Sequence, residues 1–202
     1  MILRLKEVVN STIDSTRKYI FYTEDKLVIE FSYINKNDGK DIICIPSQSF
    51  CNLGCKFCHT SDFIGIIKNR NLSSDELLFG IDYIYNDLKL NKNKRILLIS
   101  VMGLGEILFN IDNLIEVFTN VKNKYDVYTR FSFATSLPKN KYNEFFRFTR
   151  LIEKNKLDVK LHLSLHYTND TLRDKWMSNS LEIKPSLLAV EMYNLINDVL
   201  DA

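Results

Sequence analysis

The chain has 202 residues, 46% hydrophobic and 26% charged, which is enough for one domain with a sizeable core. Its 27 basic and 25 acidic side chains leave a formal net charge of +2. That excludes a global basic field of the kind that advertises nucleic acid, though not a local patch. No run of about twenty apolar residues occurs, so neither a membrane-spanning helix nor a membrane partner is expected. Residues 1–6 lack the apolar stretch of a signal peptide, and the expected location is the cytoplasm.

Residues 1–17 read as a short helix or an irregular lead-in. Tyr19-Ile20-Phe21-Tyr22 and Leu27-Val28-Ile29-Glu30-Phe31-Ser32-Tyr33, joined through Glu24-Asp25-Lys26, read as a β-hairpin. A polar turn containing Asp38-Gly39 leads into Ile42-Ile43-Cys44-Ile45, a short buried strand ended by Pro46. From there strands and helices alternate. Ser73-Ser74-Asp75-Glu76 is a capping box opening a helix to about Lys89, with Leu77, Leu78, Ile81, Ile84 and Tyr85 on its apolar face. Residues 95–102 form a buried strand that ends in Gly103-Leu104-Gly105-Glu106. Leu114, Ile115, Val117, Phe118 and Val121 mark a second helix, and residues 130–135 a third strand. Phe145, Phe146, Phe148, Leu151 and Ile152 mark a third helix, their spacing assigning the aromatic stretch to the core. Residues 159–166 are a fourth strand, and Pro185 followed by Leu187, Leu188, Val190, Met192, Leu195 and Ile196 a fourth helix.

Repeated strand–helix units with near-continuous apolar strands imply an α/β fold with a parallel sheet covered by helices. With no linker and no low-complexity tract, the chain reads as one structural domain, residues 1–40 being an N-terminal extension and 41–202 the core. In such folds the site lies at the carboxyl ends of the strands. Every candidate motif falls there.

The strongest motif is Cys51-Asn52-Leu53-Gly54-Cys55-Lys56-Phe57-Cys58, a C-x3-C-x2-C run following a strand. All four cysteines lie between positions 44 and 58, too close for sensible disulfide staples, which reads as metal-binding or catalytic. Two donor chemistries compete. Tetrahedral zinc would want a fourth ligand, from Cys44 or from His59, and His59 directly follows a ligand, an awkward geometry. Three thiolates suit an iron–sulfur cluster that leaves one iron free of protein, and the spacing favours that reading.

The other motifs are weaker singly. Gly103-Leu104-Gly105-Glu106 is either a tight turn or a place where backbone and the Glu106 carboxylate meet a ligand ammonium. Ser164 and His166 alternate with His162 along one strand face; their place at the strand end lifts the first two, and His162 reads as structural. Glu30 reads as a solvated strand residue, and Lys56, Lys68 and Arg70 as solvated surface.

Taken together and in order, these pieces resemble the RlmN/Cfr family of radical SAM RNA methyltransferases, which modify an adenine of RNA. Thr16-Arg17-Lys18-Tyr19-Ile20-Phe21 and Val28-Ile29-Glu30 resemble its hairpin, and Cys44-Ile45-Pro46-Ser47-Gln48-Ser49-Phe50-Cys51 its Cys-Val-Ser-Ser-Gln-Val-Gly-Cys stretch. Met102-Gly103-Leu104-Gly105-Glu106 with Asn110 resembles its Met-Gly-Met-Gly-Glu-Pro-Leu-Leu-Asn loop, and Ser164-Leu165-His166 with Asn169-Asp170 and Leu172-Arg173-Asp174 its Ser-Leu-His-Ala-Pro-Asn-Asp stretch.

The resemblance implies a partial (β/α) barrel of the radical SAM type, with about four strand–helix units where such cores usually have six. It implies a 4Fe-4S cluster on Cys51, Cys55 and Cys58, and S-adenosyl-L-methionine bound by Gly103, Gly105, Glu106, Ser136, Ser164, Leu165 and His166. It gives Cys44 the role of resolving a protein–RNA adduct and Glu30 that of a proton acceptor. RNA and a reductase or flavodoxin-type electron donor are the implied partners, together with a second chain over the open barrel edge if no further segment covers it. Departures stand beside the matches: Phe50 replaces a glycine, Ile107 a proline, His59 a small residue, and no cysteine follows Cys58 to carry the methyl group that the family uses, which leaves open a radical SAM enzyme that abstracts hydrogen directly from another substrate, or a non-catalytic iron–sulfur or metal-binding module.

Overall fold

A computed structural model describes residues 2–36, 38–90, 95–138 and 140–177. Seven strands form one sheet in sequential order. They are β1 (Leu3–Asn10), β2 (Arg17–Thr23), β3 (Val28–Lys36), β4 (Lys40–Cys44), β5 (Ile96–Val101), β6 (Thr129–Thr135) and β7 (Val159–Leu163). Strands β1 to β4 pair antiparallel and β4 to β7 parallel. The expected hairpin is β2–β3, and the four expected parallel strands are β4 to β7. A parallel run of strands joined through helices, entered from an antiparallel hairpin, is the partial barrel expected from the sequence, here with an open sheet.

The lead-in is neither helical nor irregular. It is strand β1, paired to β2 along its length. Its pairing carries an irregularity between Leu5 and Glu7, so the residues facing the core are Leu3, Leu5 and Val8. A bulge of this kind changes the parity of the side chains, and simple two-residue alternation disappears from the sequence.

Helices α1 (Ser74–Asp87), α2 (Ile111–Lys124) and α3 (Tyr142–Lys154) cover one face of the sheet. The capping box is present: the Ser73 hydroxyl accepts from the Glu76 N–H, and the Glu76 carboxylate accepts from the Ser73 N–H. Leu77, Ile81, Ile84 and Tyr85 are buried on α1. Gly80 lets that helix settle on the hairpin, because a Cβ there would lie 2.4 Å from the Phe31 ring. Phe118 stacks on Phe131 at 4.4 Å, and Phe148 meets Phe133 at 4.8 Å, so α2 and α3 bind β6 through aromatic contacts.

The opposite face is polar where the strands end. Ser32 pairs with Cys44, Cys44 with Ser100 and Ser100 with Ser132, a row whose side chains share a face. The Ser132 hydroxyl lies 3.1 Å from that of Ser100. The parallel register carries the ends of β4 to β7 along one staggered rim, with Cys44 opposite Ser100, Val101 opposite Phe133 and Thr135 opposite Leu163.

Two further differences concern the C-terminal part. Strand β7 stops at Leu163, and residues 164–166 form its irregular exit, with His166 at φ +56°. A short helix not expected from the sequence, α4 (Asp170–Trp176), follows; the Asn169 side chain caps it by accepting from the Leu172 N–H at 3.0 Å. The helix expected over 185–196 lies outside the described residues. Among the described residues no helix is long and apolar enough to cross a membrane.

Candidate functional site at the strand rim

The site starts where β4 ends. The chain continues through Ile45 and Pro46 to Ser47 and Gln48, and the 103–106 loop folds directly onto this segment. The Gly103 N–H donates to the Ile45 carbonyl at 3.2 Å, and the Ser47 and Gln48 N–H groups donate to the Leu104 carbonyl at 2.8 and 3.2 Å. Both glycines are required by this contact. A Cβ on Gly103 would lie 2.8 Å from the Ile45 oxygen, and one on Gly105, at φ +105°, would lie 2.5 Å from Ser47 Oγ. The glycines thus permit close approach of the loop to the Ile45 backbone, at Gly103, and to Ser47 and Gln48, at Gly105.

Glu106 follows in the same loop and is 4% exposed. Its Oε1 accepts from the Thr135 hydroxyl at 2.6 Å and the Leu108 N–H at 3.3 Å. Its Oε2 accepts from the Ser136 N–H and hydroxyl, both at 3.0 Å. Burial raises its pKa, and these hydrogen bonds oppose the rise. Gln48 accepts from the Glu106 N–H at 3.1 Å and donates to Asn71 at 2.9 Å. Buried Asn110 donates to the carbonyls of Ser47 and Leu72 at 2.7 and 2.8 Å. The ends of β4, β5 and β6 are therefore tied together by side chains distant in sequence.

The cysteine loop crosses this rim. Leu53 is its buried anchor, and Gly54 takes φ +70°. The Cys58 N–H donates to the Cys55 carbonyl at 2.8 Å, and the Ser61 hydroxyl donates to that same carbonyl at 2.6 Å. The Cys58 sulfur lies 3.1 Å from the Thr60 hydroxyl. All three thiols are partly buried, and Cys51 and Cys55 each feel the charge of a neighbouring thiol. Burial raises the Cys51 pKa, and burial together with the other two thiols pushes Cys55 up to about 11. Uncharged thiols are what a metal-free loop stabilises; binding a cation would reverse the balance.

Among the described residues no three His, Cys, Asp or Glu side chains could hold a metal ion. Thiolates on one tetrahedral zinc, at about 2.3 Å from the metal, sit within about 4 Å of one another. His59 is no fourth ligand here: its ring is 86% exposed and lies 3.5 Å from Asp62. A polynuclear cluster gives each thiolate its own iron and so takes a wider triangle. The donor chemistry, three partly buried thiols on one loop beside buried polar groups, fits such a cluster.

Helix α4 closes the site. The Lys56 N–H, inside the cysteine loop, donates to the Trp176 carbonyl at 2.8 Å. Arg173, 1% exposed, donates to the Ser136 carbonyl at 3.0 Å. Sequence reasoning missed Arg173 as a site residue; the Asn169 cap was the signal for its helix. Ser164 donates its N–H to the Thr135 carbonyl at 2.8 Å, Leu165 is half-buried, and the exposed His166 ring lies 4.6 Å from Phe57. The cysteine loop thus meets α4 through Lys56 and the β7 exit through Phe57 and His166, and Glu106 lies close enough for its charge to act on Cys51 and Cys55.

Cys44 and Glu30 stand apart from that group. Both face the polar side of the sheet, and burial, aided by the Glu30 charge, raises the Cys44 pKa. Glu30 also pairs with Lys18 at 3.0 Å. Arg70 is not solvated surface: its guanidinium forks onto Asp25, at 2.7 and 3.0 Å, and onto Glu76, at 2.7 and 2.8 Å. Lys68 joins it on Asp25 at 3.0 Å. A cleft of about 640 Å³ opens beside the loop, lined by Gln48, Asn52, Leu53, Asn69, Arg70, Asn71, Phe109 and Pro138. It does not reach Glu106, Ser136 or His166.

No family model matches the chain. Over 93% of its length it is 34% identical to the dual-specificity RNA methyltransferase RlmN of Wigglesworthia glossinidia brevipalpis, covering 48% of that protein. It is 31% identical, also over 93% of its length, to the probable dual-specificity RNA methyltransferase RlmN of Streptococcus suis, covering 50% of it. The chain therefore spans about half the length of the curated relatives it matches. Its fold matches the crystal structure of a radical SAM methyltransferase from Sphaerobacter thermophilus with a TM-score of 0.73, at 23% identity, over 88% of this chain and 49% of that one.

Proposed function

We propose that this chain, a relative of the RlmN proteins in the radical SAM family, binds a 4Fe-4S cluster and S-adenosylmethionine at the rim of β4 to β7 and cleaves the latter reductively. The observation that carries the reading is the meeting of the cysteine loop with the Glu106 loop, Ser136 and the β7 exit around one rim. When bound, the cluster would supply the one electron that splits S-adenosylmethionine into methionine and a deoxyadenosyl radical.

The chain's own residues have definite tasks in this reading. Cys51, Cys55 and Cys58 would hold three irons. Glu106 is fixed by four hydrogen bonds, two of them from Ser136. It can turn toward a ligand ammonium by giving up the Ser136 hydroxyl while the backbone N–H still holds it. Ser164, Leu165 and His166 would take the opposite side, where the His166 ring rests against Phe57 of the loop. Cys44 and Glu30 share the polar sheet face, which supports a thiol and a nearby proton acceptor acting on a substrate there.

The relatives are named as RNA methyltransferases, and RNA is the substrate class proposed. The electron donor proposed is a reductase or flavodoxin-type protein, and the compartment the cytoplasm. The four cysteines of the chain lie at 44, 51, 55 and 58, so the proposal for these residues is radical formation. Methyl transfer through a cysteine would need one from outside them. The test is anaerobic reconstitution with iron, sulfide, a reductant and S-adenosylmethionine. Deoxyadenosine should form, and Cys51→Ala, Cys55→Ala and Cys58→Ala should each abolish it. A protein that takes up zinc and makes no deoxyadenosine contradicts the reading.

A further inference from the structure

We propose that Arg173 is the charge partner of the cysteine loop, a positioning residue that eases electron entry into a cluster held there. The inference rests on the cluster reading above and adds a residue to it. Arg173 is an arginine buried to 1% exposure, on a helix of seven residues that contributes little else to the core. Burying a guanidinium is expensive, and such a group is normally retained by a counter-charge or by hydrogen bonds.

Its position joins the two halves of the site. One end of its helix accepts from the Lys56 N–H, next to Cys55, at 2.8 Å, while the guanidinium donates to the carbonyl of Ser136 at 3.0 Å. Ser136 in turn holds the Glu106 carboxylate. Asp174 on its own helix, then Cys55 of the cysteine loop and Asp170, are among the charges that act on the buried Arg173. Asp174 is exposed and Asp170 half-buried, so water screens both. Cys55 is half-buried and belongs to the loop that would hold the cluster, so its charge, unlike theirs, would be part of the cluster's.

The other cations near the loop are differently placed. Arg70 is committed to Asp25 and Glu76, and Lys56 is exposed. A cluster bound through three thiolates beside the buried Glu106 would concentrate negative charge on this rim. A cluster held by three thiolates is a net anion, and taking one electron from an external reductant makes it more negative. A fixed cation that never deprotonates lowers the cost of that step, and net charge is one of the levers on cluster potential.

The experiment is a redox titration with dithionite, followed by electron paramagnetic resonance, on anaerobically reconstituted protein. Arg173→Gln keeps a donor toward the Ser136 carbonyl and removes the charge, Arg173→Met removes both, and Arg173→Lys keeps the charge without the fork. The midpoint should move to a more negative potential in Arg173→Gln and Arg173→Met, at iron and sulfide contents equal to the parent, and stay near the parent in Arg173→Lys. Equal midpoints in the parent and Arg173→Gln overturn the inference while leaving the cluster reading standing. Failure of Arg173→Lys to retain iron overturns it too, since shape alone would then be at stake. Failure of the parent itself to assemble a cluster overturns the reading beneath it, and the inference with it.

Discussion

Substituting Gly105 by alanine should cost more than any other glycine substitution on the rim, and the cost can be built from two parts. Gly105 has φ +105°, beyond the small left-handed region that L-residues visit. Holding alanine there costs about 1–3 kcal/mol. Its Cβ would also lie 2.5 Å from Ser47 Oγ and 2.8 Å from the Gln48 nitrogen, and that nitrogen belongs to backbone bonded to the same loop. Relieving such overpacking costs about 1–3 kcal/mol more, so the sum is about 2–6 kcal/mol. Gly39 is the control. Its φ is +88° but nothing lies within 4 Å of its Cβ position, so Gly39→Ala carries the strain without the collision. Urea unfolding monitored by circular dichroism should give Gly105→Ala a midpoint clearly below that of Gly39→Ala at a similar slope. Equal midpoints would refute the claim that the 103–106 loop is clamped to the exit of β4.

Other expectations follow from the same geometry. Arg70→Met should destabilise by about 1.5–3 kcal/mol, since charge-assisted hydrogen bonds to both Asp25 and Glu76 are lost. Both carboxyls are held below the ordinary carboxylate range, mainly by Arg70 for Asp25 and by Arg70 and Ser73 against burial for Glu76. Their contribution is therefore complete above about pH 4 and lost as pH falls through the folded values, and Arg70→Met should flatten the acid limb of a stability–pH profile. Glu106→Gln should cost about 1–3 kcal/mol by thermal melting, because its amide would point a donor at groups that themselves donate. Ser73→Ala should cost about 1 kcal/mol in the same assay through loss of the α1 cap, with iron uptake unchanged.

Much of this was legible in the sequence, for identifiable reasons. Hairpin β2–β3 and the parallel strands show because Tyr19, Phe21, Ile29, Phe31 and the run Leu97 to Val101 keep one period throughout. Strand β1 hides because the irregularity after Leu5 breaks that period. Helix α4 hides because seven residues carry no apolar repeat, and Asn169 is its one local signal. Arg70 reads as solvated because charged residues usually are, and Arg173 takes no role from the sequence; their burial is decided by partners at Asp25, Glu76 and Ser136, which the sequence does not place. Glu106 was visible as a carboxylate after glycines, but the hydroxyls that fix it arrive from β6, twenty-nine and thirty positions away.

The central claim, a cluster on the cysteine loop with S-adenosylmethionine at its open iron, is tested most directly by electron paramagnetic resonance of the reduced, reconstituted protein with and without that ligand. An iron–sulfur signal should be present, disappear in Cys55→Ala and change shape when S-adenosylmethionine is added. A signal indifferent to the ligand, or stoichiometric zinc in place of iron, would contradict it.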